Sequence, residues 1–235
     1  MPAPHDDPGK GEAVRGMFAT IARRYDLANH LLSGGLDFFW RRHTARAVRA
    51  LRPVRILDLA TGSGDLAFTL RAACPGSLVV GADFCPPMLA EARRKGMRDL
   101  VAGDGLRLPF ATGTFDALTV AFGLRNMASW PAALAEMGRV LRPGGGLFVL
   151  DFSVPPPPLR WLYRPYLHHV LPRLAGLLTG EKAAYDYLGD SIEVFPNGSA
   201  MCRLIESAGF TAACATPMTG GIVSLYAAQR APTSS

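Results

Sequence analysis

Residues 54–67 read VRILDLATGSGDLA, and this stretch decides the fold. Val54, Ile56, Leu57 and Leu59 make a short apolar run bounded by turn residues, which reads as a buried strand. Gly62-Ser63-Gly64-Asp65-Leu66-Ala67 then turns through two glycines into a segment that continues with helical periodicity to Ala73. Strand, glycine loop and helix form the opening unit of a doubly wound sheet, which binds ligands outside the carboxyl ends of its strands. Glycines in such a loop let the backbone approach a ligand, and the helix behind it presents free N–H groups.

Downstream the alternation repeats. SLVVGADF (77–84) reads as a strand, PPMLAEARRKG (86–96) as a helix and LVAGD (100–104) as a third strand. FDALTVAF (115–122) gives a fourth strand, PAALAEMGRVLR (131–142) a helix and GGGLFVLDF (144–152) a fifth strand. Strands that alternate with helices imply parallel βαβ units. The tail differs: MCRLIESAGF (201–210) reads as a helix, and TAACATP (211–217) and GIVSLYAAQ (221–229) as two strands joined by a short TGG. Such a hairpin makes the last strand antiparallel.

Upstream, Val14, Met17, Phe18 and Ile21, then Phe39, Trp40, Ala47 and Val48, recur at helical spacing around the turn-like SGG at 33–35. Residues 13–50 therefore read as a helical cap, and residues 1–12 as a disordered leader. One domain is expected over 13–235, with a helical insert or lid at 155–195 where the alternation breaks.

Of the 235 residues 49% are hydrophobic and only 19% charged, yet the longest apolar runs are far too short to span a bilayer. The N-terminus carries no hydrophobic stretch of the secretory kind. A net charge of +6, spread among arginines, permits attraction to anionic lipid without demanding it. No appended basic domain or stacking platform points to nucleic acid. Cys74, Cys85, Cys202 and Cys214 lie far apart without a C-x-x-C pair, so they read as thiols in a reducing cytoplasm. No histidine or cysteine spacing calls for a metal.

The glycine loop by itself leaves two ligands open. It fits the dinucleotide fingerprint, with an acid about twenty residues on at Asp83. A diphosphate, however, disfavours nearby carboxylates. Asp58 ends the first strand, Asp65 opens the helix, and Asp83 and Asp104 close the next two strands. Four acids in one crevice suit a ligand that carries an ammonium and a sulfonium, namely S-adenosyl-L-methionine. Asp83 is placed to accept from ribose hydroxyls and Asp104 from the adenine amino group. Each acid is also a residue type that caps helices and forms turns.

DLATGSGDL, GADFCPPMLAEAR, LPFATGTFDALTVAFGLRNM and RVLRPGGGLFVLDFSVP together resemble the ubiquinone/menaquinone biosynthesis C-methyltransferases. MFATIARRYDLANHLLSGGLDFFWR resembles the family's opening block, and YLGDSIEVFP, AGF, MTGGIVSL and LYAA its tail. FGLRN, after the fourth strand, is the most specific of these. The resemblance implies a seven-stranded Rossmann-like class I methyltransferase, mostly parallel with an antiparallel last strand. It implies methylation of a ring carbon of a polyprenyl quinol, demethylmenaquinol in the first place and a benzoquinol as the alternative. Cofactor contacts carried over by position are Ser63, Asp83, Asp104 and Gly105, beside Asp58, Gly62 and Gly64 of the loop. Thr61 and Ser63 stand where the family often has Gly and Thr, Asp104 where Asn is common, and Ala121 where Ser is common.

Transfer to carbon is an in-line displacement, in which alignment supplies much of the acceleration. The hydroquinol reacts as its anion, and a cation or donor beside its oxygen favours that form. Arg125 and Asn126 of FGLRN are the expected catalytic residues; the bland alternative pairs Arg125 with a nearby acid. Tyr25 and Asp26 are expected to close over the site, with packing as the plainer role of Tyr25. In the insert, Trp161, Tyr163, Tyr166, Leu167 and Leu171 interleave with Arg160, Arg164 and Arg173. This suits an interfacial helix at the inner face of a membrane or a lid packed on its own domain. A homodimer is compatible with the sequence. Non-catalytic quinone carriage on the same fold, methylation of another small molecule and a nicotinamide dehydrogenase are the competing classes.

Overall fold

The computed structural model describes Gly16, His30, residues 33–173, Gly176 and residues 182–232. Within them runs one seven-stranded sheet in the order β3-β2-β1-β4-β5-β7-β6. Its strands are β1 (Arg55–Leu59), β2 (Leu78–Asp83), β3 (Leu100–Ala102), β4 (Phe115–Ala121), β5 (Leu141–Phe152), β6 (Phe210–Met218) and β7 (Val223–Arg230). β1 pairs in parallel with β2 and β4, β2 with β3, and β4 with β5. β7 pairs antiparallel with both β5 and β6, as the hairpin reading required. The expected Rossmann-like class I methyltransferase architecture is the one observed.

The helices are α1 (Leu36–Ala50), α2 (Asp65–Ala73), α3 (Pro86–Arg94), α4 (Trp130–Val140), α5 (Leu159–Pro165), α6 (Lys182–Val194) and α7 (Ser199–Ser207). β1 and β4 are buried almost end to end, as central strands covered on both faces must be. Alternate residues of β1 serve opposite faces. Ile56 joins Trp40, Val48, Leu66, Leu70, Ala92 and Phe148 under α1, α2 and α3. Leu57 and Leu59 join Leu134, Met137, Met201 and Ile205 under α4 and α7. Asp58 thereby points to the α1–α2 side, one pleat above Ile56.

α1 follows the turn at Ser33–Gly35, where Gly34 and Gly35 have φ of +59° and +78°. It buries Asp37, Trp40, Arg41, Thr44, Ala45 and Val48, a helical stripe that includes two charged residues. α4 ends two residues earlier than its sequence pattern, at Val140, because Leu141 is already extended and starts β5. In the insert, Tyr163, Leu167 and Leu171 face inward on Ile192, with Phe152 and Ile222 packed around them.

Candidate active site

β1 sits between β2 and β4, so the chain leaves the carboxyl end of β1 at the point where strand order reverses. There a cleft opens, lined by Asp58, Ala60, Thr61, Gly62, Ser63, Asp65 and Leu66 from the first unit. Asp83, Phe84, Cys85 and Met88 come from β2 and α3, Ala121, Phe122, Gly123 and Asn126 from the end of β4, and Arg41 from α1. Both lips of the cleft are strained: Ala60 and Phe122 have φ of +52° and +57°. Non-glycine residues in the left-handed region cost energy and cluster at functional sites. Gly123 is demanded by sterics alone, since a Cβ there would stand 2.5 Å from the Ala60 Cβ.

Three of the four strand-end acids meet in this cleft, and each is differently occupied. Asp58 is fully buried; Oδ1 accepts from Thr119 Oγ1 at 2.6 Å and Oδ2 from Thr61 Oγ1 at 2.7 Å. Thr119 lies directly opposite Asp58 in the β1–β4 ladder. Desolvation pushes the Asp58 carboxyl up to about 6, against these two hydrogen bonds and Arg41. Asp83 accepts from the backbone N–H of Gly62 at 2.8 Å and of Cys85 at 2.9 Å, which ties the glycine loop to the end of β2. Burial raises the Asp83 carboxyl as well, opposed by the backbone donors Cys85, Gly62 and Phe84.

Asp65 is an ion-paired residue: Lys95 Nζ lies 2.6 Å from Oδ1, and Arg41 Nη2 lies 3.5 Å from Oδ2. Asp104 is exposed and outside the cleft lining, its Oδ1 accepting from the Leu106 N–H in a local turn. Gly105 is buried beside it, where a Cβ would press on Met127 at 3.0 Å. The convergence of four acids is thus corrected to three. One of those is balanced by two cations, so the count of carboxylates alone does not select a cationic ligand.

Around α1 the sequence hid a polar network. Arg41 Nη1 donates to Asp37 Oδ2, Ser33 Oγ donates to Asp37 Oδ1 at 2.8 Å, and His30 Nδ1 lies 2.6 Å from Asp37 Oδ2. Burial works to raise the Asp37 carboxyl, but Ser33, Arg41 and His30 together hold it below the ordinary carboxylate value. The signal available in the sequence was the i, i+4 spacing of Asp37 and Arg41 on a predicted helix.

At the other lip, Arg125 and Asn126 form a 3₁₀ turn, Leu124–Asn126, and both are buried. Arg125 Nη1 donates to Asp151 Oδ1 at 2.6 Å and to the Phe122 carbonyl at 2.7 Å, while its guanidinium covers the Phe152 ring at 5.3 Å. The pairing with an acid, the plainer alternative, therefore occurs. Asn126 reaches the cleft and Arg125 is not among the cleft-lining residues. Burial raises the Asp151 carboxyl, against the charge of Arg125. Trp40 packs edge-on to Phe152 and tilted to Phe122, and its Nε1 donates to Thr219 Oγ1 at 2.8 Å. From the insert, the Tyr187 hydroxyl donates to Asn126 Oδ1 at 3.3 Å. Tyr25 and Asp26 lie outside the described residues. His43, His168 and His169 are not cleft-lining residues, and Cys85, one of the four cysteines read as thiols, is one.

A family model described as the ubiE/COQ5 methyltransferase family matches residues 7–230. The chain belongs to the ubiE/COQ5 methyltransferase family. A demethylmenaquinone methyltransferase of Thermus thermophilus is 49% identical to this methyltransferase, over 91% of the chain and 100% of its own length. One of Deinococcus radiodurans is 46% identical over 87% and 88%. The ubiquinone/menaquinone biosynthesis C-methyltransferase UbiE of Syntrophotalea carbinolica is 45% identical over 94% and 95%. Among solved structures, human N-acetylserotonin methyltransferase in complex with SAM superposes with a TM-score of 0.62 at 19% identity, covering 92% of this chain and 59% of its own. A SAM-dependent methyltransferase of Thermotoga maritima gives 0.61 at 16%, over 92% and 98%. These likenesses of structure concern the fold alone.

As a methyltransferase of this family the protein uses S-adenosylmethionine, which excludes the dehydrogenase and carrier readings. The residues present fit that cofactor. Gly62, with φ of +57°, keeps the loop open where a Cβ would stand 3.2 Å from Met88. Asp83 at the end of β2 suits ribose hydroxyls, and Ser63 and Ala121 keep the cleft walls small.

Proposed function

We propose that this methyltransferase acts on a ring carbon of a polyprenyl quinol and converts demethylmenaquinol to menaquinol. The reading rests on identity of up to 49%, over almost the whole chain, with proteins named demethylmenaquinone methyltransferase. The geometry supports it. Phe122 lines the donor cleft with Asn126, and Phe152 and Trp40 pack behind it. A benzoquinol is the second reading, favoured by the UbiE relative, whose name covers ubiquinone as well.

When bound, S-adenosylmethionine supplies an electrophilic methyl group on a sulfonium. Transfer of that methyl to the ring carbon would leave the C–S electron pair on sulfur and release the ring proton to water. Asn126 contacts the quinol oxygen and orients the ring. Arg125 stands behind the turn with Asp151 and holds the turn's shape, while its charge biases the ring oxygen toward the anion. Cofactor contacts are assigned to Asp58, Gly62, Ser63, Gly64, Asp83 and Ala121, with Asp104 and Gly105 as an outer edge.

No described helix is long and apolar enough to cross a membrane. Peripheral contact is part of the proposal, through Trp161 and Leu162, which α5 turns into solvent at 71% and 75% exposure. All three arginines expected to meet headgroups are partly engaged within the protein, Arg160 with the Pro155 carbonyl at 3.1 Å, Arg164 with Glu193 at 2.9 Å and Arg173 with the His169 carbonyl at 2.6 Å. The deciding experiment incubates the protein with labelled S-adenosylmethionine and each reduced demethylated quinol. Label in menaquinol supports the proposal; label only in the benzoquinol, or in neither, overturns it.

A further inference from the structure

Arg41 is the one cationic side chain among the described cleft-lining residues, and it stands on α1, outside every βα loop. A buried guanidinium is costly unless carboxylates hold it. Its main partner is Asp37, which is not in the cleft lining and is itself fixed by Ser33 and His30. Asp65, the cleft-lining acid beside it, is held more closely by Lys95, at 2.6 Å against 3.5 Å. The network thus keeps a positive group and a negative group adjacent at one wall of the cleft. Lys95 also donates to Ser63 Oγ at 3.1 Å, which fixes that wall to the glycine loop.

An adjacent cation and anion of this kind complement an α-amino acid zwitterion, whose ammonium and carboxylate are separated by a comparable distance. We propose that Arg41 binds the carboxylate of the methionine moiety of the methyl donor, with Asp65 beside it taking the ammonium. Arg41 is then a specificity residue for the donor. It separates ligands that carry the amino-acid carboxylate from those that carry the nucleoside and amine alone. The inference rests on the cleft being the donor site and holds whichever quinol is the acceptor.

Calorimetry on the full chain tests it with two ligands, S-adenosylhomocysteine and its decarboxylated analogue, which keeps the amine and lacks only the carboxylate. The wild type is expected to prefer S-adenosylhomocysteine by at least about tenfold, as loss of a charge-assisted hydrogen bond implies. Arg41→Gln is expected to abolish that preference by weakening S-adenosylhomocysteine alone, and Arg41→Lys to retain most of it. A preference that survives Arg41→Gln, or a parallel weakening of both ligands, overturns the assignment. If Arg41→Gln does not fold, the wild type still decides: equal affinity for the two ligands overturns it. A wild type that binds neither ligand overturns the donor site with it.

Discussion

Arg125 and Asp151 form an ion pair of 2.6 Å in which the acid is fully buried and the base nearly so. Removing one member of such a pair leaves the other charged in a medium that solvates it poorly. Asp151→Ala is therefore expected to lower stability by about 3–5 kcal/mol in urea denaturation. Arg125→Met combined with Asp151→Leu is expected to cost less than either single change. Additive costs in that cycle would remove the pair from the structural account.

The same pair sharpens the test of Arg125 in catalysis, because Arg125→Ala also strands Asp151. Arg125→Lys keeps the charge but loses the planar guanidinium that lies over the Phe152 ring while its Nη1 serves both Asp151 and the Phe122 carbonyl. It is expected to bind S-adenosylhomocysteine within about twofold of the wild type and to lose at least about tenfold in turnover. Undiminished kcat would take Arg125 out of the proposed chemistry.

Asp58 gives a pH signature. Its folded-state value of about 6 lies above that of an unfolded aspartate, so the folded chain holds the proton more tightly. Stability is therefore fullest below the unfolded value and declines as pH rises through the window from about 4 to about 6. Asp83 and Asp151, raised by burial, contribute in the same direction. Denaturation midpoints recorded across that window should show a shallower slope in Asp58→Asn; an unchanged slope would mean that Asp58 titrates normally.

Gly123 has a φ of −111°, which any residue adopts, so its role is purely spatial. Gly123→Ala is expected to cost about 1–3 kcal/mol through overpacking on Ala60 and to weaken S-adenosylhomocysteine binding at the same lip. Calorimetry and melting curves recorded together check both halves.

Tyr187→Phe removes one hydroxyl between the insert and Asn126. The donor cleft keeps its walls, so cofactor affinity should hold. Loss of the bond, worth about 1 kcal/mol, should appear as a roughly fivefold fall in kcat/KM for the quinol. A selective fall in cofactor affinity would contradict this division of labour.

Trp161→Ala with Leu162→Ala is expected to lower flotation with anionic vesicles while leaving turnover of a short-chain soluble quinol unchanged. A wild type that does not float would sink the membrane contact. Loss of a dimer in sedimentation, with flotation intact, would assign the patch to a second copy instead.

The fold was legible wherever periodicity is local. β1, the glycine loop and α2 sit in nineteen consecutive residues, Arg55–Ala73, and the antiparallel hairpin is announced by TGG between two apolar runs. The acids were legible only in part. Thr119 is 61 residues from Asp58, and Lys95 is 30 from Asp65, so neither quenching partner is visible from the acid's own neighbourhood. Asp104 stands outside the cleft lining for a local reason: its carboxylate accepts from the Leu106 N–H in a two-residue turn. Asp151, in a run read simply as strand, gave no sign that it would meet Arg125.

β7 lies between β5 and β6, although β6 precedes it in the chain. As the nascent polypeptide emerges, β6 therefore has no neighbour in the sheet, and β5 keeps an open row of N–H and C=O groups. Both edges stay adhesive until Val223–Arg230 slides between them. A ribosome that stalls just upstream of that segment releases a chain with its donor cleft encoded but its sheet unclosed, a natural client for chaperones.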